Sequence, residues 1–327
     1  MHVMESDGAQ ESARRQNLPR ALTMVSAPRL AVDLVSLIRP LHSAKALFLV
    51  PIALIDVSPL TPTAVGAVAW AALAFVLAAA AVYVGNDLAD RHRDRHHPVK
   101  CRRPIAAGRV PVWGGYLYCI VLLALLTVVI VVAGVPYWPV LAYLGLNLAY
   151  SSVLKHIPLV DVGTVALGFV LRVVQGYLAV GEQAAGWLLV SVFSLSLLLL
   201  IGKRRQELLE AGIAHRPALH GYSVELANWL LQITAVLALV AGLTYLGTEA
   251  PFGPDHGQTA MVVSTPFALF ALFRYLQIQL VGRGDSDPVR VLLRDRAMVA
   301  ITVLWVATLG VTVALAHHPA LANAVLL

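Results

Sequence analysis

The chain has 327 residues, 59% of them hydrophobic and only 13% charged, with a mean hydropathy of +0.76. Few soluble domains reach that balance, so composition points to an integral membrane protein in the all-α class. Two cysteines exclude a disulfide framework and a cysteine-rich zinc site, and the formal charge of +6 does not indicate nucleic-acid affinity, because the basic loops lack interleaved aromatics and any recognisable binding motif.

From the N-terminus, the first 27 residues are polar and contain no apolar core for a signal peptide. Met1 to Pro28 is expected to be disordered and cytoplasmic, ahead of a single membrane domain over 29–320. A membrane span needs about 20 apolar residues. The hydropathy pattern gives nine candidates, near 30–57, 64–85, 114–133, 137–154, 160–180, 186–202, 224–246, 259–281 and 297–316. The first is interrupted by Arg39, Pro40 and Lys45 and is expected to kink or to lie partly at the interface.

With the N-terminus in the cytoplasm, the loop Lys and Arg fall on one side. They are Arg14, Arg15, Arg20, Arg29, the basic residues of 86–113, Lys155, Lys203, Arg204, Arg205, Arg216, Arg283, Arg290, Arg294 and Arg296. The opposite connections hold no Lys or Arg and carry Glu182, Glu249 and Asp255. That asymmetry supports the count, a multi-pass protein of the plasma membrane, and charged constellations facing the cytoplasm. Anionic headgroups and phosphorylated substrates meet the protein on that face.

The densest polar stretch is Asn86 to Gly108, directly after an apolar run. Asp87, Asp90 and Asp94 stand at i, i+3 and i+7, within roughly 60° on one helix face. Three like charges in a stripe are tolerable when a cation sits among them, and a magnesium ion carrying phosphate oxygens is the usual guest. Arg91, Arg93, Arg95, Lys100, Arg102, Arg103 and Arg109 interleave or follow, and both Arg and Lys suit phosphate. The bland alternative is a solvated loop that only sets topology; such a loop has no need of aspartates in helical register.

Other constellations lie along the same face. Arg39 and Lys45 are six residues apart near the end of the first span, where they either line a polar cavity or snorkel to the headgroups. Lys155 and Asp161 flank a short loop, and Arg172 is about three turns into the fifth span, too deep for easy snorkelling. Lys203, Arg204 and Glu207 leave the sixth span on one helical turn, either as a site or as a stop-transfer anchor with a surface ion pair. Asp287, Arg290, Arg294, Asp295 and Arg296 read as a solvated amphipathic loop, and the histidines offer no ligand set.

Asn86-Asp87-x-x-Asp90-x-x-x-Asp94 at the end of a membrane helix resembles the first aspartate motif of the UbiA superfamily of intramembrane prenyltransferases. That resemblance implies nine helices around a central cavity. Most members carry a second aspartate motif of DxxxD type after the sixth helix, where this chain reads Gly202-Lys203-Arg204-Arg205-Gln206-Glu207. The chain is more similar to the decaprenyl-phosphate phosphoribosyltransferase branch. The shared segments are His97-Pro98-x-Lys100-x-x-Arg103-Pro104-Ile105-Ala106-Ala107-Gly108, Leu154-Lys155-His156, Gly168-Phe169-x-Leu171-Arg172, Gly202-Lys203-Arg204-x-x-Glu207 and Leu293-Arg294-Asp295-Arg296. It departs from the branch where RPxQWxKN is usual and this chain has Arg39-Pro40-Leu41-His42-Ser43-Ala44-Lys45-Ala46. The missing tryptophan and asparagine bear on the acceptor more than on the donor.

What the resemblance implies is a magnesium-dependent glycosyltransferase of cell-wall arabinan (arabinogalactan) precursor synthesis. It would move 5-phosphoribose from 5-phosphoribosyl-1-diphosphate to a polyprenyl phosphate. Asp87, Asp90 and Asp94 would hold magnesium and act at the reacting centre. Lys100, Arg103, Lys203 and Arg204 would grip the diphosphate and the sugar 5-phosphate, and Arg172 or Lys45 would hold the acceptor phosphate; Arg39, Asn86, Lys155, Asp161 and Glu207 are further substrate-binding candidates. Two other readings stay open: an aromatic or quinone-precursor polyprenyltransferase of the same superfamily, and a non-catalytic lipid-binding or transport protein. Homo-oligomerisation is compatible with the sequence, and no nucleic-acid partner is expected.

Overall fold

The computed structural model describes residues 27–40, 49–57, 59–211, 217–252, 256–281 and 294–317. The expectations placed on the N-terminal segment before Ala27, on Lys45, Arg216, Arg283, Asp287 and Arg290, and on the non-matching Leu41–Ala46 stretch lie outside the described residues.

Every regular element among the described residues is helical. In chain order they are α1 (Ala27–Leu37), a 3-10 segment (Val50–Ile55), α2 (Pro62–Ala89), α3 (Arg91–Arg95), α4 (Val112–Ala133), α5 (Trp138–Ser152), α6 (Val160–Ala179), α7 (Gly186–Ala211), α8 (Val224–Thr248), α9 (Gly257–Leu280) and α10 (Arg296–His317). The ends are set by local chemistry. The Thr61 hydroxyl accepts from the Ala64 N–H at 3.2 Å, with Pro62 in the first turn of α2. The Ser223 hydroxyl caps α8 through the Leu226 N–H at 3.0 Å. Gly134, with φ +63°, closes α4 in the left-handed region.

α2 is the central element. Its alanines at 71, 72, 74, 78, 79, 80 and 81 are all buried, and α4, α5, α6 and the 3-10 segment pack on it. Small side chains let neighbouring backbones approach where lipid supplies no hydrophobic drive between helices. From α6 onward each helix packs on the next, to α10 against α9. A Cβ at Gly176 of α6 would sit 2.0 Å from the Val50 carbonyl oxygen, so only glycine allows the 3-10 segment to cross there.

Six helices among the described residues are long and apolar enough to cross a membrane: α2, α4, α6, α7, α8 and α9. The count of nine is not reproduced on length. α5 has 15 residues, about 22 Å, short of the roughly 30 Å hydrocarbon thickness. α10 is apolar over Arg296–Thr312 and its helix runs 22 residues, enough for a span on length. The first expected span is broken: α1 ends at Leu37, and Arg39, held before Pro40, has φ +48°. The sixth span runs past its apolar stretch, so Lys203 to Glu210 continue α7 as helix. Contacts of Asp90 with Lys155, Arg204 with Asp161, Arg205 with Asn228, Arg274 with Asp295 and Leu88 with Gly115 place the ends of α2, α5, α7 and α9 at one end of the bundle with the starts of α4, α6, α8 and α10.

Candidate active site

The aspartate stripe survives a break in the helix. α2 stops at Ala89 and α3 begins at Arg91, yet the Asp90 N–H still bonds Asn86 O and the Asp94 N–H bonds Asp90 O, both at 2.9 Å. Asp87 and Asp94 are therefore brought to one guanidinium. Arg103 donates through Nη1 to Asp87 Oδ1 at 3.1 Å and to Asp94 Oδ2 at 2.6 Å. Arg39 reaches Asp87 Oδ1 at 2.5 Å and stacks 5.0 Å from the centre of the Tyr83 ring. Both carboxylates are buried, whereas the Arg39 and Arg103 side chains keep 27% and 26% of their surface open.

Asp90 is the accessible member of the stripe, 35% exposed, with Lys155 Nζ at 3.7 Å. Asn86 is fixed by the Ser151 hydroxyl, which donates to its Oδ1 at 2.7 Å. Lys100 is exposed in a 3-10 turn, and its side chain makes no hydrogen bond or ion pair among the described residues. It is not brought to the aspartates.

A second cluster joins α6, α7 and the Tyr222 turn. Arg204, almost fully buried, donates through Nε to Asp161 Oδ2 at 2.7 Å and through Nη1 to Glu207 Oε2 at 2.8 Å. Tyr222 donates its hydroxyl to the other Asp161 oxygen at 2.9 Å and accepts the Leu159 N–H at 3.1 Å. Burial first, and then the Asp161 charge, push the Tyr222 hydroxyl above its ordinary range, so it stays a donor. Arg205 is turned elsewhere, to Asn228 Oδ1 at 2.7 Å and the Gln279 carbonyl at 2.5 Å. Asp161, Arg204 and Glu207, expected as substrate contacts, are closely paired with one another, as a buried charge requires. Lys203, on the same turn, is half-buried.

Arg172 is buried in α6 beside a cavity of about 210 Å³. Its Nη1 donates to Gly168 O at 2.5 Å and its Nη2 to the Tyr143 hydroxyl at 3.2 Å.

Several anchors escaped the sequence reading. Asp33 of α1 accepts Arg109 Nε at 3.0 Å and 3.1 Å through its two oxygens. Arg274, a charge inside the eighth expected span, grips Asp295 through Nη2 at 2.7 Å. Asp295 also caps the start of α10 through the Met298 N–H at 2.9 Å. The Arg274 guanidinium, then that N–H, hold the Asp295 carboxyl below the usual range. At the other end of the bundle, Asp56 accepts from Tyr177 and, at 3.2 Å, from Tyr245, tying the 3-10 segment to α6 and α8. The oddity that could have flagged Asp33, Asp56 and Arg274 is a charge inside an otherwise apolar segment.

No three His, Cys, Asp or Glu side chains among the described residues form a ready metal-ligand group. The donor set still suits magnesium. That ion takes hard oxygens, and beside a phosphate it needs only one or two carboxylates, the phosphate and water completing its shell. Asp87, Asp90 and Asp94 supply such oxygens at one helix end.

The described residues form a helical bundle with a polar, carboxylate-bearing end, and a model of the UbiA prenyltransferase family matches residues 47–293. The chain belongs to the UbiA prenyltransferase family. The motif-level likeness to one branch also holds. The decaprenyl-phosphate phosphoribosyltransferase of Mycobacterium tuberculosis (strain CDC 1551 / Oshkosh) is 34% identical over 266 residues, 76% of this chain and 82% of its own. Its namesake in Corynebacterium glutamicum is 32% identical over 246 residues, 73% of each chain. A solved UbiA homolog from Archaeoglobus fulgidus, bound to GPP and Mg2+, has a TM-score of 0.63 at 21% identity, covering 86% of this chain and 99% of that one. That last likeness is one of fold.

Proposed function

We propose that the protein transfers 5-phosphoribose from 5-phosphoribosyl-1-diphosphate to a polyprenyl phosphate, releasing diphosphate, at the cytoplasmic end of the bundle. The observation that carries this reading is the asymmetry of the two charged clusters. Where an ordinary family member is expected to carry a second aspartate motif, this chain has a closed Asp161–Arg204–Glu207 set with no spare carboxylate pair. Among the described residues one open carboxylate site remains, at the end of α2, where the leaving diphosphate would sit. The names of the relatives point the same way.

The bond from C1 to the diphosphate oxygen breaks, its electron pair leaves with diphosphate, and an oxygen of the lipid phosphate bonds to C1. The nucleophile is already an anion, so no strong general base is required, and none stands at the site. Magnesium, held by Asp87, Asp90 and Asp94 together with diphosphate oxygens, would neutralise the leaving group. Arg39 and Arg103 are half-open and already share Asp87, so they can turn guanidinium N–H groups to a diphosphate without crossing a hydrophobic barrier. Lys155 stands beside Asp90 for the same purpose. The acceptor's tail remains in the bilayer, which only a membrane-embedded site permits.

Purified protein given 5-phosphoribosyl-1-diphosphate, magnesium and decaprenyl phosphate should yield a phosphoribosylated lipid by mass. Prenylation of an aromatic acid from polyprenyl diphosphate, with phosphoribosyl diphosphate untouched, would overturn the reading.

A further inference from the structure

Arg172 differs from every other buried arginine in the bundle. Arg204 has two carboxylates, and Arg205 has an amide and a carbonyl. Arg172 forms no ion pair with a carboxylate among the described residues, although it is 6% exposed and about 18 Å along α6. Its Nε is buried without a hydrogen-bond partner. Three rings surround the guanidinium: Tyr143 at 4.8 Å, Phe169 at 5.3 Å and Phe75 at 5.6 Å from centre to centre. Aromatic faces soften the burial of a cation but do not neutralise it. A charge kept at that depth without a counter-ion of its own is arranged for an anion that comes and goes.

The adjoining cavity says which anion. Besides Arg172 it is lined by Tyr83, Asn86, Asn147, Tyr150 and Thr164. These neutral hydroxyl and amide groups, partners of sugar hydroxyls, share the wall with Val82, Leu146 and Val165. Its volume, about 210 Å³, is some seven water volumes at about 30 Å³ each. That accommodates a phosphate and part of a small polyhydroxy ring. The cavity also reaches Asn86, the neighbour of Asp87, so a sugar seated here turns its other end to the aspartate cluster.

Building on the transfer reaction above, we propose that the Arg172 cavity is a phosphomonoester subsite, and that its guest is the 5-phosphate of the sugar donor. It is then not the phosphate of the lipid acceptor, the role implied for Arg172 by its sequence motif. Both guests are monoester dianions, and the hydroxyl and amide groups beside Arg172 favour the one that carries sugar hydroxyls.

The test is equilibrium binding to detergent-solubilised protein of two soluble probes, ribose 5-phosphate and farnesyl phosphate. Arg172→Gln should weaken ribose 5-phosphate at least tenfold and leave farnesyl phosphate unchanged, while Arg172→Lys should restore part of the loss. If Arg172→Gln elutes as aggregate, Tyr143→Phe carries the test. It keeps the ring and removes the hydroxyl that orients Nη2, and it should weaken ribose 5-phosphate by a few-fold with farnesyl phosphate unchanged. Loss of farnesyl phosphate binding with ribose 5-phosphate retained would assign the cavity to the acceptor. Unaltered binding of both, or no binding of ribose 5-phosphate to the wild type, would remove the subsite altogether. A wild type that still consumes phosphoribosyl diphosphate in those cases keeps the reaction and loses only the subsite; one that ignores that donor loses the reaction.

Discussion

The two charged clusters use the same residue types in opposite ways. At the end of α2, buried Asp87 and Asp94 meet arginines that keep about a quarter of their surface open, and Asp90 lies more open still. Between α6 and α7, Asp161 and Arg204 have 0% and 3% exposed, and a tyrosine closes the second carboxylate oxygen. The first arrangement can exchange partners, because its cations are open to water. The second cannot do so without burying an unpaired charge. Sequence position near a substrate face therefore does not make a charged residue a ligand; the openness of its partner does.

The comparison breaks most visibly at Asp87. Asp87→Asn should lower transfer activity more than about 100-fold, since it would remove a carboxylate from the proposed magnesium site and loosen the registry of Arg39 and Arg103. Chelation of the wild type should do the same, and steady-state rates with and without added magnesium check both. Near wild-type activity would place the chemistry elsewhere.

Asp161→Asn attacks the closed cluster and should act on stability. Leaving Arg204 short of one carboxylate is expected to cost about 3 kcal/mol, seen as a lowered midpoint of thermal unfolding in detergent. Tyr222→Phe is milder: it strands one Asp161 oxygen and the Leu159 N–H for about 1–2 kcal/mol, by the same measurement. Lys203→Ala sharpens the boundary between the clusters. Loss of a charge-assisted phosphate contact, about 1.5 kcal/mol, would raise the donor KM roughly tenfold with little change in kcat. An unchanged KM would assign Lys203 to the closed cluster.

The smallest effect concerns the seam between α9 and α10. Asp295 has a depressed pKa in the fold, so its contribution is present above the unfolded carboxylate value of about 3.9 and is lost as pH falls through the lower folded value. Both partners are partly open to solvent, so only local loosening of α10 is expected. Hydrogen exchange at the start of α10 should rise below about pH 4 in the wild type. In Asp295→Asn it should be high at neutral pH already.

Long apolar runs made α2, α4 and α6 to α9 legible in the sequence, because a membrane helix needs length and little else. Helical register made Asp87, Asp90 and Asp94 legible as one group. The helix break at Asp90 was not legible, since its backbone bonds keep the spacing across it. The first span misled because Arg39 precedes Pro40 and leaves the helical region altogether. The closed cluster was hidden for a different reason. Asp161 and Arg204 lie 43 positions apart, and Asp33 and Arg109 lie 76 apart. Nothing local in either segment names its partner, and only the packing of α6 on α7 and of α1 near the basic loop brings them together.

The central claim is that chemistry belongs to the α2 cluster and architecture to the α6–α7 cluster. It is tested most directly by measuring phosphoribosyl transfer per folded molecule in Asp90→Asn and Asp161→Asn, each at a temperature where its folded fraction matches the wild type. The account predicts that Asp90→Asn folds normally and turns over at background, while Asp161→Asn retains most of the wild-type rate. A silent Asp161→Asn beside an active Asp90→Asn would contradict it.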